Sequence, residues 1–175
     1  MGLAEPSHTM RKALREATAQ AHDQLDGTMR SVAGWSSLDD YARFLSLQYA
    51  ARVPIEAWLD DNAPEDLRPP PQAPLIAQDL EAMGRPLPSD KVRFETTDLQ
   101  KQVVRRTKGE DKTAIASAAL ELAGRSAALG TAWVLAGSSL GYRAILGEVR
   151  RTANMKGWAQ WPARFLGDEA MLVFW

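Results

Sequence analysis

The pattern of apolar residues predicts an all-α protein folded as one domain over residues 1–175. Three observations predict it. Apolar residues recur at spacings of three and four along most of the chain. No stretch alternates apolar and polar residues for long enough to be a strand. The proline-rich stretch that might divide two domains leaves only about 60 residues before it, too few for a comfortable core of their own.

Ser7 or Thr9 can cap a first helix reaching about Asp26, with an apolar stripe of Met10, Leu14, Ala17, Ala21 and Leu25. Ser37 caps a second, with Asp40 three residues on as a weak capping box. This helix carries Leu38, Tyr41, Phe44, Leu45, Tyr49, Val53 and Trp58, and Pro54 is expected to kink or split it near Val53. Residues from Asn62 to Ala73 include Pro64, Pro69, Pro70 and Pro71 and read as a linker or irregular loop. A short helix from about Leu75 to Met83 is ended by Gly84 and Pro86. A polar-faced helix is expected over residues 95–107, and Asp111 can cap the one after it. Residues 113–150 form the longest apolar-periodic stretch, punctuated by Gly124, Gly130, Gly137, Gly141 and Gly147. The end, Met171 to Trp175, reads as the start of a last helix that packs onto the body or continues beyond this sequence.

Composition removes several function classes. The chain is 45% apolar and 25% charged with net charge −1, which lacks the basic footprint of a nucleic-acid binder. No apolar run is long enough for a membrane span and no secretory leader is visible, so a cytoplasmic protein is expected. Cysteine is absent, which excludes thiolate catalysis, disulfides, iron–sulfur clusters and cysteine-ligated zinc. With only His8 and His22, a single axial histidine is the most the chain can offer a metal. His8, at or before the first helix, is expected to be exposed.

Two segments carry chemistry. His22 falls at the edge of the first helix's apolar stripe, beside Leu14, Thr18 and Leu25. Arg15 lies seven residues earlier on nearly the same azimuth, roughly 10 Å away along the axis. An imidazole beside an apolar surface, with a cation two turns away, suits a flat apolar cofactor with anionic tails. A lone histidine there is more often an ordinary surface or core residue, and the spacing alone leaves both readings open. The second segment is Trp133-Val-Leu-Ala-Gly137-Ser138-Ser139-Leu140-Gly141-Tyr142-Arg143. Glycines four apart clear one helical face, let the helix bend, and admit a flat partner or a closely crossing helix. Trp133 is the tryptophan best placed to line such a face; the other five are expected mostly in the core. Phe44 and Tyr49 can face a pocket but read more simply as packing.

Leu14-Arg15-Glu16-Ala17-Thr18 followed by His22, and Gly130 followed by Trp133-Val134-Leu135, Gly137-Ser138 and Leu140-Gly141, together resemble the proximal and distal helices of the heme oxygenase family. Leu75, Asp79-Leu80 and Met83-Gly84-Arg85-Pro86 are similar to its connecting helix, and the resemblance spans about residues 10–150 in order. It implies a heme oxygenase-like helical bundle with a glycine-kinked distal helix and heme between the two helices. The implied reaction opens heme to biliverdin, carbon monoxide and ferrous iron with O₂ and external electrons. His22 would be the iron ligand and Arg15 a propionate partner, with Thr18, Trp133 and Tyr142 also at the heme. Gly137 and Gly141 would press on the distal face and steer oxygen to one meso carbon, and Ser138 would order a proton-delivering water.

The resemblance also implies an electron donor such as a ferredoxin or a flavin reductase, and a protein that receives the bilin. Arg105, Arg106 and Lys108 can dock an acidic donor, or form a solvated helix end. Ala136 stands where bacterial relatives usually carry glutamate, and Tyr142 where they carry glycine or another small residue. That phenol can crowd the heme, point away, or offer its hydroxyl to bound oxygen or a propionate. The alternatives are a degenerate relative that binds heme or bilin without turnover, and a helical interaction module without a cofactor. Substituting His22→Ala is expected to abolish or sharply alter the Soret band formed on adding hemin, read by absorption titration; an unchanged band removes His22 as the ligand.

Overall fold

The structure, a computed structural model, describes residues 12, 16, 19, 20, 23, 24, 27, 35–89, 94, 113–139, 141–157 and 160–174. Among them it is helical, with no strand, and no helix is long and apolar enough to cross a membrane. Lys12, Glu16, Ala19, Gln20, Asp23, Gln24 and Gly27 are helical and exposed. They form the face opposite the predicted stripe of the first helix. Met10, Leu14, Ala17, Ala21 and Leu25, the helix expected over residues 95–107 and the cap Asp111 lie outside the described residues.

Ser37 opens helix α1 (Leu38–Asn62) with extended backbone at φ −146° and ψ 165°. Its Oγ accepts from the Asp40 N–H at 3.1 Å and its hydroxyl donates to the Asp40 carboxylate at 2.8 Å. Asp39 and Asp40 add negative charge where the helix dipole favours it. Of the two effects expected of Pro54, a kink or a split, the split does not occur; α1 runs unbroken to Asn62. The lost backbone hydrogen bond is offset by packing on both sides, where Tyr41, Phe44, Leu45 and Leu59 are buried.

The proline-rich stretch is irregular except for one 3₁₀ turn at Glu65–Leu67. It is more than a linker, because it folds back on α1. Arg68 Nε donates to the Ala63 carbonyl at 2.8 Å. The Glu56 carboxylate accepts from the N–H groups of Gln72 and Ala73 at 3.0 and 3.1 Å. These are N–H groups at the start of helix α2 (Ala73–Ala82), left free by helix geometry. Pro74 sits in the first turn of α2, where its missing N–H costs nothing. Gly84 ends the helix at φ +67°, its N–H donating to Glu81 while Arg85 donates to Leu80. This closing geometry requires a left-handed residue, which glycine adopts without strain.

Helix α3 (Thr113–Ser139) and helix α4 (Tyr142–Met155) divide the long apolar stretch at Leu140–Gly141. Gly124, Gly130 and Gly137 lie inside one continuous helix rather than breaking it. Two short helices follow, α5 (Arg164–Gly167) and α6 (Ala170–Phe174). The apolar end packs onto the body: Met171 is buried and Phe174 meets the core, while Val173 stays exposed.

One core joins α1, α2, α4 and α5 through Tyr41, Phe44, Leu45, Ile76, Leu80, Val149 and Phe165. Trp161 stacks on Tyr41 at 5.8 Å, and Trp35 meets Phe44 edge-on at 4.9 Å. Tyr49 packs against this core as well. The second joins α1 to α3 through Leu59, Ala128, Ala132 and Leu135, with Trp58 and Phe174 at its edge. Trp158 and Trp175 lie outside the described residues.

Two polar contacts fasten the last third of the chain to the first core. Tyr41 Oη donates to the Pro162 carbonyl at 2.9 Å. Burial and the nearby Asp79 charge raise this phenol above its ordinary range, so it stays neutral. The fully buried Asp79 carboxylate accepts from the N–H groups of Arg164 and Phe165 at 2.9 and 3.0 Å, starting α5. Burial pushes the Asp79 carboxyl up, against those two donors and the Arg164 guanidinium, which pull it down. The folded protein therefore holds this proton more tightly than the unfolded chain does. The group's contribution to stability is largest at acid pH and is lost as pH rises through its folded value. Asp79→Asn is expected to flatten that part of the pH–stability profile. Asp79→Ala, which strands the buried Phe165 N–H and the part-buried Arg164 N–H, is expected to lower stability by about 3 kcal/mol. Urea unfolding across pH measures both.

Candidate functional site

Helix α3 is apolar on both sides, and the two sides differ in size. Toward α1 it presents small buried residues, Ala128, Ala132 and Ala136, together with Leu135. On the opposite side Leu122, Leu129, Trp133 and Val134 are 67%, 50%, 41% and 65% exposed. With Gly130 and Gly137 they fall within an arc of about 140°. A Cβ placed on Gly130 would meet nothing within 4 Å, so this face is open where the glycine lies. A water-facing helix side ordinarily carries polar residues; here exposed Ser126 falls within the same arc, and the four large apolar residues around it are the unusual feature of this side.

Ser138 stands at the edge of this face, at the last turn of α3. Its Oγ lies 2.7 Å from the Leu135 carbonyl and 3.2 Å from Tyr142 Oη. Tyr142 begins α4 and turns inward. Its ring is buried, with its centre 4.6 Å from that of Phe165. Of the three positions open to the phenol on sequence grounds, the structure shows the one directed away from the open face. Ala136 is buried on the inner side of α3. Gly141 lies exposed between the two helices, and a Cβ there would meet only the Ser138 carbonyl, at 3.6 Å.

The partner of Tyr142 and Ser138 is a residue that the sequence reading passed over. Arg52, in the middle of α1, is 2% exposed. Its Nη2 donates to Tyr142 Oη, and to Ser138 Oγ at 3.3 Å. Its guanidinium carbon lies 5.7 Å from the centre of the Tyr142 ring and 5.4 Å from that of Phe165. Glu56 Oε1 balances the charge at 3.6 Å from Nη1. Nε and Nη1 make no hydrogen bond. One signal in the sequence could have found it: Leu45, Arg52 and Leu59 are spaced by seven, which places a charge inside the buried stripe of α1.

The structure thus brings together Ser138 and Tyr142, sets Trp133 on the open face, and places half-buried Gly137 and exposed Gly141 beside it. His22, Arg15 and Thr18 lie outside the described residues, as do His8 and the cluster Arg105, Arg106 and Lys108. Among the described residues no group of three or more histidine, aspartate or glutamate side chains is placed to hold a metal ion. No protein-family model, curated protein or solved structure matches the chain.

Because Tyr142 fills core rather than lining the open face, removing its side chain should not widen that face. Tyr142→Ala is expected to cost about 4 kcal/mol of stability by leaving a cavity beside Phe165. Chemical denaturation of the variant checks this.

Proposed function

We propose that the chain is a heme oxygenase, cleaving heme to biliverdin, carbon monoxide and ferrous iron with O₂ and external electrons. The observation that carries the reading is the open, apolar, glycine-bearing face of α3. It coincides with the segment that resembles the family's distal helix, and a hydroxyl stands at its edge. The described side of the site fits the substrate: it is apolar, cleared of a side chain at Gly130, and free of the Tyr142 ring.

Heme, when bound, supplies the oxygen activation and is itself the molecule oxidised. The protein's part is to bind, orient and deliver protons. Trp133, Leu129 and Val134 offer apolar area to a macrocycle. The backbone at Gly130 and Gly137 admits its close approach. His22 would hold the iron, and Arg15 would pair with a propionate. Ser138 would order a water that passes a proton inward. Tyr142, held by Arg52, stays out of the way. A ferredoxin or flavin reductase would supply electrons in the cytoplasm, and a second protein would take up the bilin.

The test is a hemin titration followed by ascorbate in air. A saturable one-to-one Soret band that decays to a bilin spectrum is expected. A band that persists supports a heme or bilin carrier without turnover, and no band supports an interaction module. Gly130→Leu should remain folded, and be more stable by about 1 kcal/mol, since it replaces a helical glycine where there is space. It should nevertheless bind hemin at least about tenfold more weakly, a loss of about 1.4 kcal/mol. Unchanged hemin affinity in that variant would remove the α3 face as the site.

A further inference from the structure

We infer that residues 162–174 form a strap that opens and closes as one unit, latched by the buried Asp79 carboxylate, and that it sets how firmly Tyr142 is held at the α3–α4 junction, whatever the open face of α3 binds. Among the described residues, the backbone hydrogen bonds of this segment close within it. Gly167 donates to Ala163, Asp168 to Phe165, and Leu172 and Val173 to Glu169. Its polar ties to the rest of the molecule run through side chains. Tyr41 reaches the Pro162 carbonyl, Asp79 the N–H groups of Arg164 and Phe165, and Gln72 the Asp168 carboxylate. An exposed pair, Arg143 and Glu169 at 3.4 Å, adds little. No ladder of backbone bonds has to break for the segment to part from the body, which is the condition for a cooperative local opening. Phe165, Leu166 and Met171 are buried, so the open strap is a minor species. Opening carries the Phe165 ring away from Tyr142 and Arg52, whose wall it forms.

Asp79 is the tie that pH can move. Its carboxylate is fully buried, and the backbone it accepts from belongs to the strap itself. Closing the strap takes this group out of water, and opening returns it. Helix α2 packs against α1 and α5. From α1 it meets the Tyr41 phenol, which stays neutral; from α5 it meets the Arg164 guanidinium, 4.0 Å from Oδ1, and the two N–H groups. The cation and the donors favour the charged form, and burial outweighs them. The carboxyl therefore holds its proton more tightly under the closed strap than in water. The open fraction rises with pH from about 4, by up to about tenfold per pH unit, and levels off above the closed-state value.

Amide hydrogen exchange of the full chain, followed by NMR from pH 4 to 8 and expressed as protection factors, tests this. The Arg164 and Phe165 N–H groups are the reporters, since each is freed only when Asp79 lets go. They are expected to be at least about tenfold less protected than the α1 amides of Phe44 and Leu45, and to lose protection as pH rises. In Asp79→Asn, which cannot ionise, that pH dependence should vanish. Tyr41→Phe, which keeps the ring and loses the bond to Pro162, should open the strap about fivefold more at every pH. If Asp79→Asn does not fold, Arg164→Gln takes its place: removing the exposed cation should carry the level region to higher pH. Strap amides that share the protection of α1 at every pH show that the segment opens only with the whole protein, and overturn the strap. Protection that does not change with pH, a slope that survives in Asp79→Asn, or a level region unmoved in Arg164→Gln overturns the latch.

Discussion

A guanidinium without water around it must be surrounded by something that compensates its charge, and Arg52 organises the molecule around that requirement. Its neighbours come from four places in the chain: Glu56 one turn on, Ser138 at the end of α3, Tyr142 at the start of α4, and the Phe165 ring of α5. Glu56 extends the network by closing the start of α2 through the N–H groups of Gln72 and Ala73. Gln72 continues it, donating from Nε2 to Asp168 at 3.0 Å. One buried charge thereby specifies where the α3–α4 junction, the proline-rich return and the C-terminal helices meet α1. The net stability of such a network is modest, but removing one member leaves the others buried and unmet.

The same constraint shapes the site. Tyr142 is a large residue at a helix junction, beside an open apolar face. Left to hydrophobic burial alone, its ring has two places to go. The hydrogen bond from Arg52 and the Phe165 ring decide for the core, and the face of α3 stays clear. Size segregation on α3 does the rest. Alanines face α1, so the helices approach closely, and the bulky apolar residues are displaced outward. Ser138 belongs to both sides, held from within by Arg52 and Tyr142 and accessible from without.

The C-terminal third has little regular structure of its own between α4 and α6, yet it is firmly placed. Asp79 and Tyr41, both buried on the first two helices, seize backbone groups of residues 162–165. These contacts carry Phe165 to the position where its ring meets both Tyr142 and Arg52. The site at the end of α3 thus depends on contacts made on the far side of the core.

Much of the helical content was legible in the sequence. Period-three-and-four spacing, the Ser37 cap and the stop at Gly84 are local signals, and each acts within a few residues of itself. The motif glycines and Ser138 were likewise readable as a pattern, which is how the family resemblance arose. That α1 continues past Pro54 was not readable locally, because the cost of the proline is local while the packing that offsets it is not. The side to which Tyr142 turns was undecided for the same reason: its partners, Arg52 and Phe165, lie 90 residues before it and 23 after it. A charge within a buried stripe shows in the sequence only as an anomaly. That Arg52 joins Ser138 and Tyr142, and so which groups face the open side of α3, was decided by the tertiary structure. Electrostatic compensation in a dry interior is satisfied by whatever the fold brings within reach, not by neighbours in the chain.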